Sequence, residues 1–139
     1  MTWRFPMAWR DPRQQDPDRG GVLRLPADGF DISPNGDLSG RRVWAEVDDH
    51  PDGVCLDAEG CAWYADVGNK RCVRVREGGE VLERIELDLG AFACILGGPE
   101  RRTLYIVCQD WRGAGNWASG PRTGQVMALV APAAAAGWP

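Results

Sequence analysis

Few side chains in this sequence have the type and spacing to do chemistry at neutral pH. The single histidine, His50, stands directly before Pro51-Asp52-Gly53. Proline fixes one φ angle and glycine permits a sharp turn, so this triplet can hold the short carboxylate of Asp52 at a strand entrance. By its residues alone, the same triplet also reads as a plain turn with Asp52 as its polar member. The five cysteines, Cys55, Cys61, Cys72, Cys94 and Cys108, are odd in number and form no C-x-x-C pair, so zinc-ribbon spacing is absent. They read as reduced thiols, mostly small strand residues. A Cys–His50 pair has no third group beside it to set up a nucleophile. Asp57 and Glu59 read as turn residues, Asp48 and Asp49 as a solvated acidic loop beside a surface His50, and Asp66 and Asp110 as strand-end residues that could edge a channel.

The elements that must position these groups are short strands. From Phe30 the chain alternates apolar runs with turn signals. Phe30-Asp31-Ile32 leads into the turn Ser33–Asp37, and Arg42–Val47 alternates as a strand. A loop over Asp48–Gly53 precedes the strand Val54–Asp57. Ala58-Glu59-Gly60 turns the chain into Cys61–Val67, and further strands are expected at Cys72–Val75 and Val81–Leu87. Thr103–Val107 is the strongest β-run, and a Gly-rich loop over Trp111–Thr123 precedes a last strand at Gln125–Leu129. Residues 131–139 are Ala-rich and read as a flexible tail.

Composition bounds the function classes. The chain has 139 residues, 44% hydrophobic and 26% charged, with a formal net charge of −4, which suits one globular domain. A mildly acidic chain whose arginines do not cluster is a poor nucleic-acid binder. No apolar run approaches the roughly 20 residues that span a bilayer, and the start carries no signal-peptide core, so the expectation is a cytoplasmic protein with no membrane partner.

Two stretches repeat. Gly53-Val54-Cys55-Leu56 followed by an acidic Gly-bearing turn and Trp63-Tyr64 matches Ala93-Cys94-Ile95-Leu96 followed by Gly97–Glu100 and Leu104-Tyr105, at an offset of about 41 residues. That is the period of a four-stranded propeller blade and favours a propeller over a plain antiparallel sandwich.

Arg41–Ala45, Pro51–Gly60, Trp63–Asp66, Arg71–Val75, Leu96–Pro99, Thr103–Val107 and Thr123–Val126 together resemble the gluconolactonase family, the regucalcin or senescence-marker group. The resemblance implies an all-β fold, a partial six-bladed β-propeller of about two to three blades made of four-stranded antiparallel sheets. Members of that family are longer, and this chain corresponds to their C-terminal half. They hydrolyse sugar lactones or similar cyclic esters at a divalent metal, calcium or zinc. The resemblance maps one ligand, and a candidate base, onto Asp52. The family's first ligand, a Glu, has no counterpart here, and Asn35-Gly36 is not its Asn. The chain is therefore expected to be weakly active or inactive by itself, as a truncated lactonase. The alternatives are a non-catalytic binding module, and half of a split enzyme that pairs with an N-terminal half chain or with itself.

Residues 1–29 form an irregular leader without helical or strand period, residues 30–130 the propeller blades, and residues 131–139 the tail. Arginine outnumbers lysine, with Lys70 the single lysine, which points to a GC-rich coding sequence. Codon degeneracy allows Thr2–Arg10 to be encoded by DNA that reads VAFPNGVA two bases later. Arg10–Arg24 can likewise be encoded by DNA that reads VTPDNKTLIVAESYA one base later. Both strings resemble the family segment expected there, so the leader is hypothesised to be a frame-slipped stretch. The gene's nucleotides test this.

Overall fold

The structure, a computed structural model, describes residues 25–113, 115–116 and 119–137. The leader up to residue 24 lies outside the described residues. Nine β-strands and no helix occur among the described residues: β1 (Leu25–Ile32), β2 (Leu38–Val47), β3 (Pro51–Leu56), β4 (Ala62–Asp66), β5 (Arg71–Val75), β6 (Val81–Glu86), β7 (Gly90–Gly97), β8 (Thr103–Gln109) and β9 (Gln125–Val130). The described residues divide into two compact units, one made of residues up to 49 with 77–79, the other of 50–76 with those from 80 onward.

In the first unit β1 and β2 form an antiparallel hairpin, paired from Leu25↔Val47 to Ile32↔Leu38. The turn expected over Ser33–Asp37 closes it, with Gly36 at φ +92°, a conformation glycine adopts without cost. The buried Asp28 carboxylate accepts a 2.5 Å charge-assisted bond from Arg41. The sequence boundary at residues 29/30 falls inside β1.

The second unit holds two antiparallel sheets, β3-β4-β5-β6 and β7-β8-β9. Their apolar faces meet in one core of Trp63, Ala65, Cys72, Ala91, Cys94, Leu96, Leu104, Ile106, Cys108 and Ala131. The alternation in β8 explains the placement: Leu104, Ile106 and Cys108 are fully buried, while Val107 on the opposite face is exposed. Burying a side chain such as Ile106 stabilises by about 2 kcal/mol. The edge strands β3 and β7 lie side by side, and a Cβ added to Gly53 would sit only 2.6 Å from the Ala93 Cα. Glycine at 53 is what lets the two backbones touch.

The antiparallel sheets expected of propeller blades are present: of those described, one has four strands and the others have two and three. Two expectations are corrected. The loop expected over Asp48–Gly53 ends early, because Pro51–Gly53 already belongs to β3. Proline is tolerated as the first residue of an edge strand, where its missing N–H leaves no ladder bond unmade. Finally, residues 131–137 are not a free tail. Ala131 and Ala133 are buried, Ala131 N–H donates to Arg102 O (2.7 Å), and Ala135 N–H donates to Arg101 O (2.8 Å). Ala58 N–H donates to Ala134 O (2.7 Å) and Ala136 N–H to Leu56 O (3.0 Å). Small side chains let this segment lie close over both sheets.

Candidate functional site

Asp52 sits in a β-bulge. In the β3–β4 ladder Pro51 pairs with Asp66 and the next pair is Val54 with Tyr64, so Asp52 and Gly53 together face the single residue Ala65. A bulge bends the strand and re-aims the extra side chain. The Asp52 carboxylate is exposed, yet partial burial of its surroundings raises its pKa above the ordinary 3.8. A carboxylate short of solvation is a stronger base than a fully hydrated one. This is a more defined setting than the surface turn that its residues alone suggest.

The second edge strand repeats the device. In the β7–β8 ladder Ala91 pairs with Cys108 and Ala93 with Val107, which leaves Phe92 unpaired in a bulge. A Cβ at Gly53 would lie 3.0 Å from the Phe92 carbonyl oxygen, so the two bulges touch through their backbones. Trp111, just past β8, meets Phe92 edge-on with ring centroids 5.8 Å apart at 70°. Gly90 makes room for it, since a Cβ there would stand 2.9 Å from the Trp111 Cβ. Both rings are half-buried. Sequence reasoning passed over Phe92 and Trp111. The repeat that aligns Gly53 with Ala93 also aligns Asp52 with Phe92, and that was the available signal.

The remaining acids serve the scaffold. Asp57 is fully buried, and its Oδ1 accepts the N–H groups of Glu59 (3.0 Å) and Cys61 (3.0 Å). Its Oδ2 accepts Arg74 Nε at 2.7 Å, and Arg74 also reaches Glu59 Oε2 at 2.7 Å. Burial disfavours the guanidinium charge, but the bonds to Asp57 and Glu59 outweigh it and the Arg74 pKa is raised. Asp57 is thus a buried anchor that fixes the β3–β4 turn, a larger part than a turn residue. Asp66, opposite Pro51, is also fully buried; it accepts hydrogen bonds from Asn69 Nδ2 (2.7 Å) and Asn69 N–H (3.2 Å) and forms an ion pair with Arg71, whose Nε lies 3.5 Å away. Asp110 pairs with Arg112 Nε at 2.9 Å. His50 and Asp48 are exposed, while Asp49 is buried.

The cysteines are free, with four buried and Cys55 half-buried. The Cys55 thiol is pushed up by its contact with Cys94 and by burial, and burial raises Cys61 and Cys108 as well. At Cys94 the Cys55 contact lowers, but the Cys72 contact and burial prevail and raise the pKa. Thiols shifted this way stay protonated and are poor nucleophiles.

No group of three or more His, Cys, Asp or Glu residues able to hold a metal ion occurs among the described residues. Calcium takes about six to eight oxygen ligands and catalytic zinc about three protein ligands. The donor set described here, one bulge carboxylate, does not make such a site.

Residues 26–109 match the family model described as SGL, the SMP-30/gluconolactonase/LRE-like region. The chain belongs to the SMP-30/gluconolactonase family. Among curated members it is similar to regucalcin of Sus scrofa, 33% identical over 92 residues, which cover 62% of this chain and 31% of that protein. It is also similar to the 6-deoxy-6-sulfogluconolactonase of Pseudomonas putida, 36% identical over 80 residues, or 56% of this chain and 28% of that enzyme. The matches therefore span about a third of the length of these relatives. Two solved structures share the fold. A luciferin-regenerating enzyme superimposes with a TM-score of 0.63 at 20% identity, covering 81% of this chain and 40% of that one. A regucalcin of Agrobacterium tumefaciens, described as a calcium-binding protein, superimposes with a TM-score of 0.60 at 19% identity, covering 75% and 38%. Both are β-propellers, so the SMP-30/gluconolactonase sheets seen here are part of a propeller. No helix among the described residues is long and apolar enough to cross a membrane.

Proposed function

We propose that this chain is the Asp52-bearing part of a hydrolase that opens cyclic esters of the sugar-lactone kind. The observation that carries the reading is the β3 bulge, which presents a partly desolvated carboxylate in a member of the SMP-30/gluconolactonase family. In this reading Asp52 takes a proton from water as the water oxygen bonds to the lactone carbonyl carbon. The ring C–O bond then breaks, and the departing alkoxide takes the proton back, leaving the open hydroxy acid. A divalent ion such as calcium or zinc, if bound, would polarise the carbonyl. Asp52 is the residue of this chain proposed to touch it, with its other ligands supplied from outside the described residues.

A second reading is a non-catalytic propeller fragment or binding module, or half of a split enzyme. It is favoured by the lack of a complete donor cluster among the described residues. One assay separates the readings. Acid release from glucono-1,5-lactone is followed at constant pH with added calcium or zinc, against the uncatalysed rate and against Asp52→Asn. Turnover by the chain that falls at least about 100-fold in Asp52→Asn supports the hydrolase. A wild-type rate equal to buffer, or an unaffected variant, overturns it in favour of the second reading.

A further inference from the structure

Phe92 and Trp111, the aromatic pair at the β7 bulge, are not members of the core cluster of the second unit, and the reaction proposed for Asp52 does not use them. Phe92 lacks a ladder partner, and its backbone abuts that of Gly53, the residue after Asp52. Trp111 holds it edge-on from the end of β8, in a place cleared by Gly90. The segment carrying Trp111 is itself braced. Asp110 N–H donates to Thr123 Oγ1 (3.0 Å), and Arg112 donates to Asp110 Oδ2 (2.9 Å) and to Ser119 O (3.0 Å). Two half-buried rings fixed in this way stand on a bulge whose backbone abuts the residue after Asp52. Ring faces are electron-rich and attract polarised C–H groups, and the neighbouring carboxylate accepts hydrogen bonds from hydroxyls.

We propose that Phe92 and Trp111 form the wall against which the C–H face of a substrate ring lies, so that they set the preference of the Asp52 site for ring-shaped polyhydroxylated lactones over open-chain esters. This rests on the reading of Asp52 as the reacting carboxylate. Phe92 makes the contact, and Trp111 both contacts the ring and positions Phe92.

Ligand-observed NMR tests the wall apart from the chemistry. The protein's aromatic protons are saturated and the transfer to the C–H protons of methyl β-D-glucopyranoside, a ring with no ester to cleave, is recorded. Wild type and Asp52→Asn are expected to transfer saturation to the ring protons. Phe92→Leu, which keeps an apolar side chain but loses the ring, and Trp111→Ala are expected to lose most of it. In the lactone assay Phe92→Leu should raise KM by about five- to tenfold with little change in kcat, a split that a merely structural role would not give. A melting temperature matching wild type shows that Phe92→Leu is folded. If it is not folded, Phe92→Tyr, which retains the ring, should retain the transfer. Transfer without lactone turnover sinks the hydrolase reading and leaves the wall standing. No transfer in wild type, or undiminished transfer in folded Phe92→Leu, overturns the wall.

Discussion

The strands β3 and β7 are two copies of one device put to different ends. Each is the edge strand of its sheet, each begins with a bulge, and their backbones touch at Gly53 and Ala93. At the bulge β3 carries a carboxylate and β7 an aromatic ring. Their exits differ too. The turn after β3 closes on the buried Asp57–Arg74 pair, whereas the turn after β7 is made by backbone, with Gly98 at φ +81°, Arg101 at φ +58° and Arg101 N–H donating to Gly98 O at 3.0 Å. A repeat therefore fixes where a bulge falls, while the residue placed there decides what that position does.

The largest effect should come from the charged turn. Asp57→Ala leaves Arg74 buried and facing only the exposed Glu59, and should cost about 3–5 kcal/mol in denaturant unfolding. A loss below about 1 kcal/mol would mean that both turns are held by backbone alone. Next comes the contact between the strands. The Cβ of Gly53→Ala meets the Ala93 Cα at 2.6 Å, backbone that cannot swing aside, and should cost about 2–3 kcal/mol. Gly97→Ala on β7, whose Cβ meets only the Tyr105 ring at 3.4 Å, should cost about 0.5 kcal/mol or less. Equal costs at the two glycines would contradict the close approach.

Removing the chain after Val130 takes away the segment that stitches both turns, including the bonds from Ala131 to Arg102 and from Ala58 to Ala134. The expected loss is about 2 kcal/mol, after the entropy of ordering the segment is set against its hydrogen bonds. Hydrogen exchange should quicken at Ala58 and around Arg101; unchanged protection at both would show the segment to be idle.

The smallest stability effect belongs to Asp52. Its folded-state pKa is raised, so the native state keeps the proton more readily than the unfolded chain. Its contribution is present at low pH and is lost as pH rises through the folded pKa, above the ordinary 3.8. Asp52→Asn should thus match wild type near pH 3 and be slightly more stable at pH 7, by less than about 0.5 kcal/mol because the group is exposed. A destabilisation beyond about 1 kcal/mol would mark Asp52 as a structural turn residue.

Much of the strand order was readable because β-branched and aromatic runs bounded by Gly, Pro and Asp carry their own turn chemistry, as at Ser33–Asp37 and Ala58–Gly60. Family motifs gave the propeller and singled out Asp52. What stayed hidden depended on contacts between distant residues. Pro51-Asp52-Gly53 looks like a loop until the ladder with β4 shows a bulge. Asp57 looks like a plain turn residue until Arg74, 17 residues on, is seen against it. The Ala-rich end looks mobile because alanine carries no directional signal, yet its backbone pairs with both turns. Phe92 was legible in principle, since the internal repeat sets it opposite Asp52.

The claim at the centre is that the two bulges build one site around Asp52. Methyl β-D-glucopyranoside, titrated into the labelled chain and followed by amide NMR, tests it most directly. The account predicts that the signals of Asp52, Gly53, Phe92 and Ala93 shift together while that of Ala135 stays, and that Phe92→Leu abolishes the shifts. Shifts centred on Asp48 and Asp49, or shifts at the bulges undiminished in folded Phe92→Leu, would contradict it.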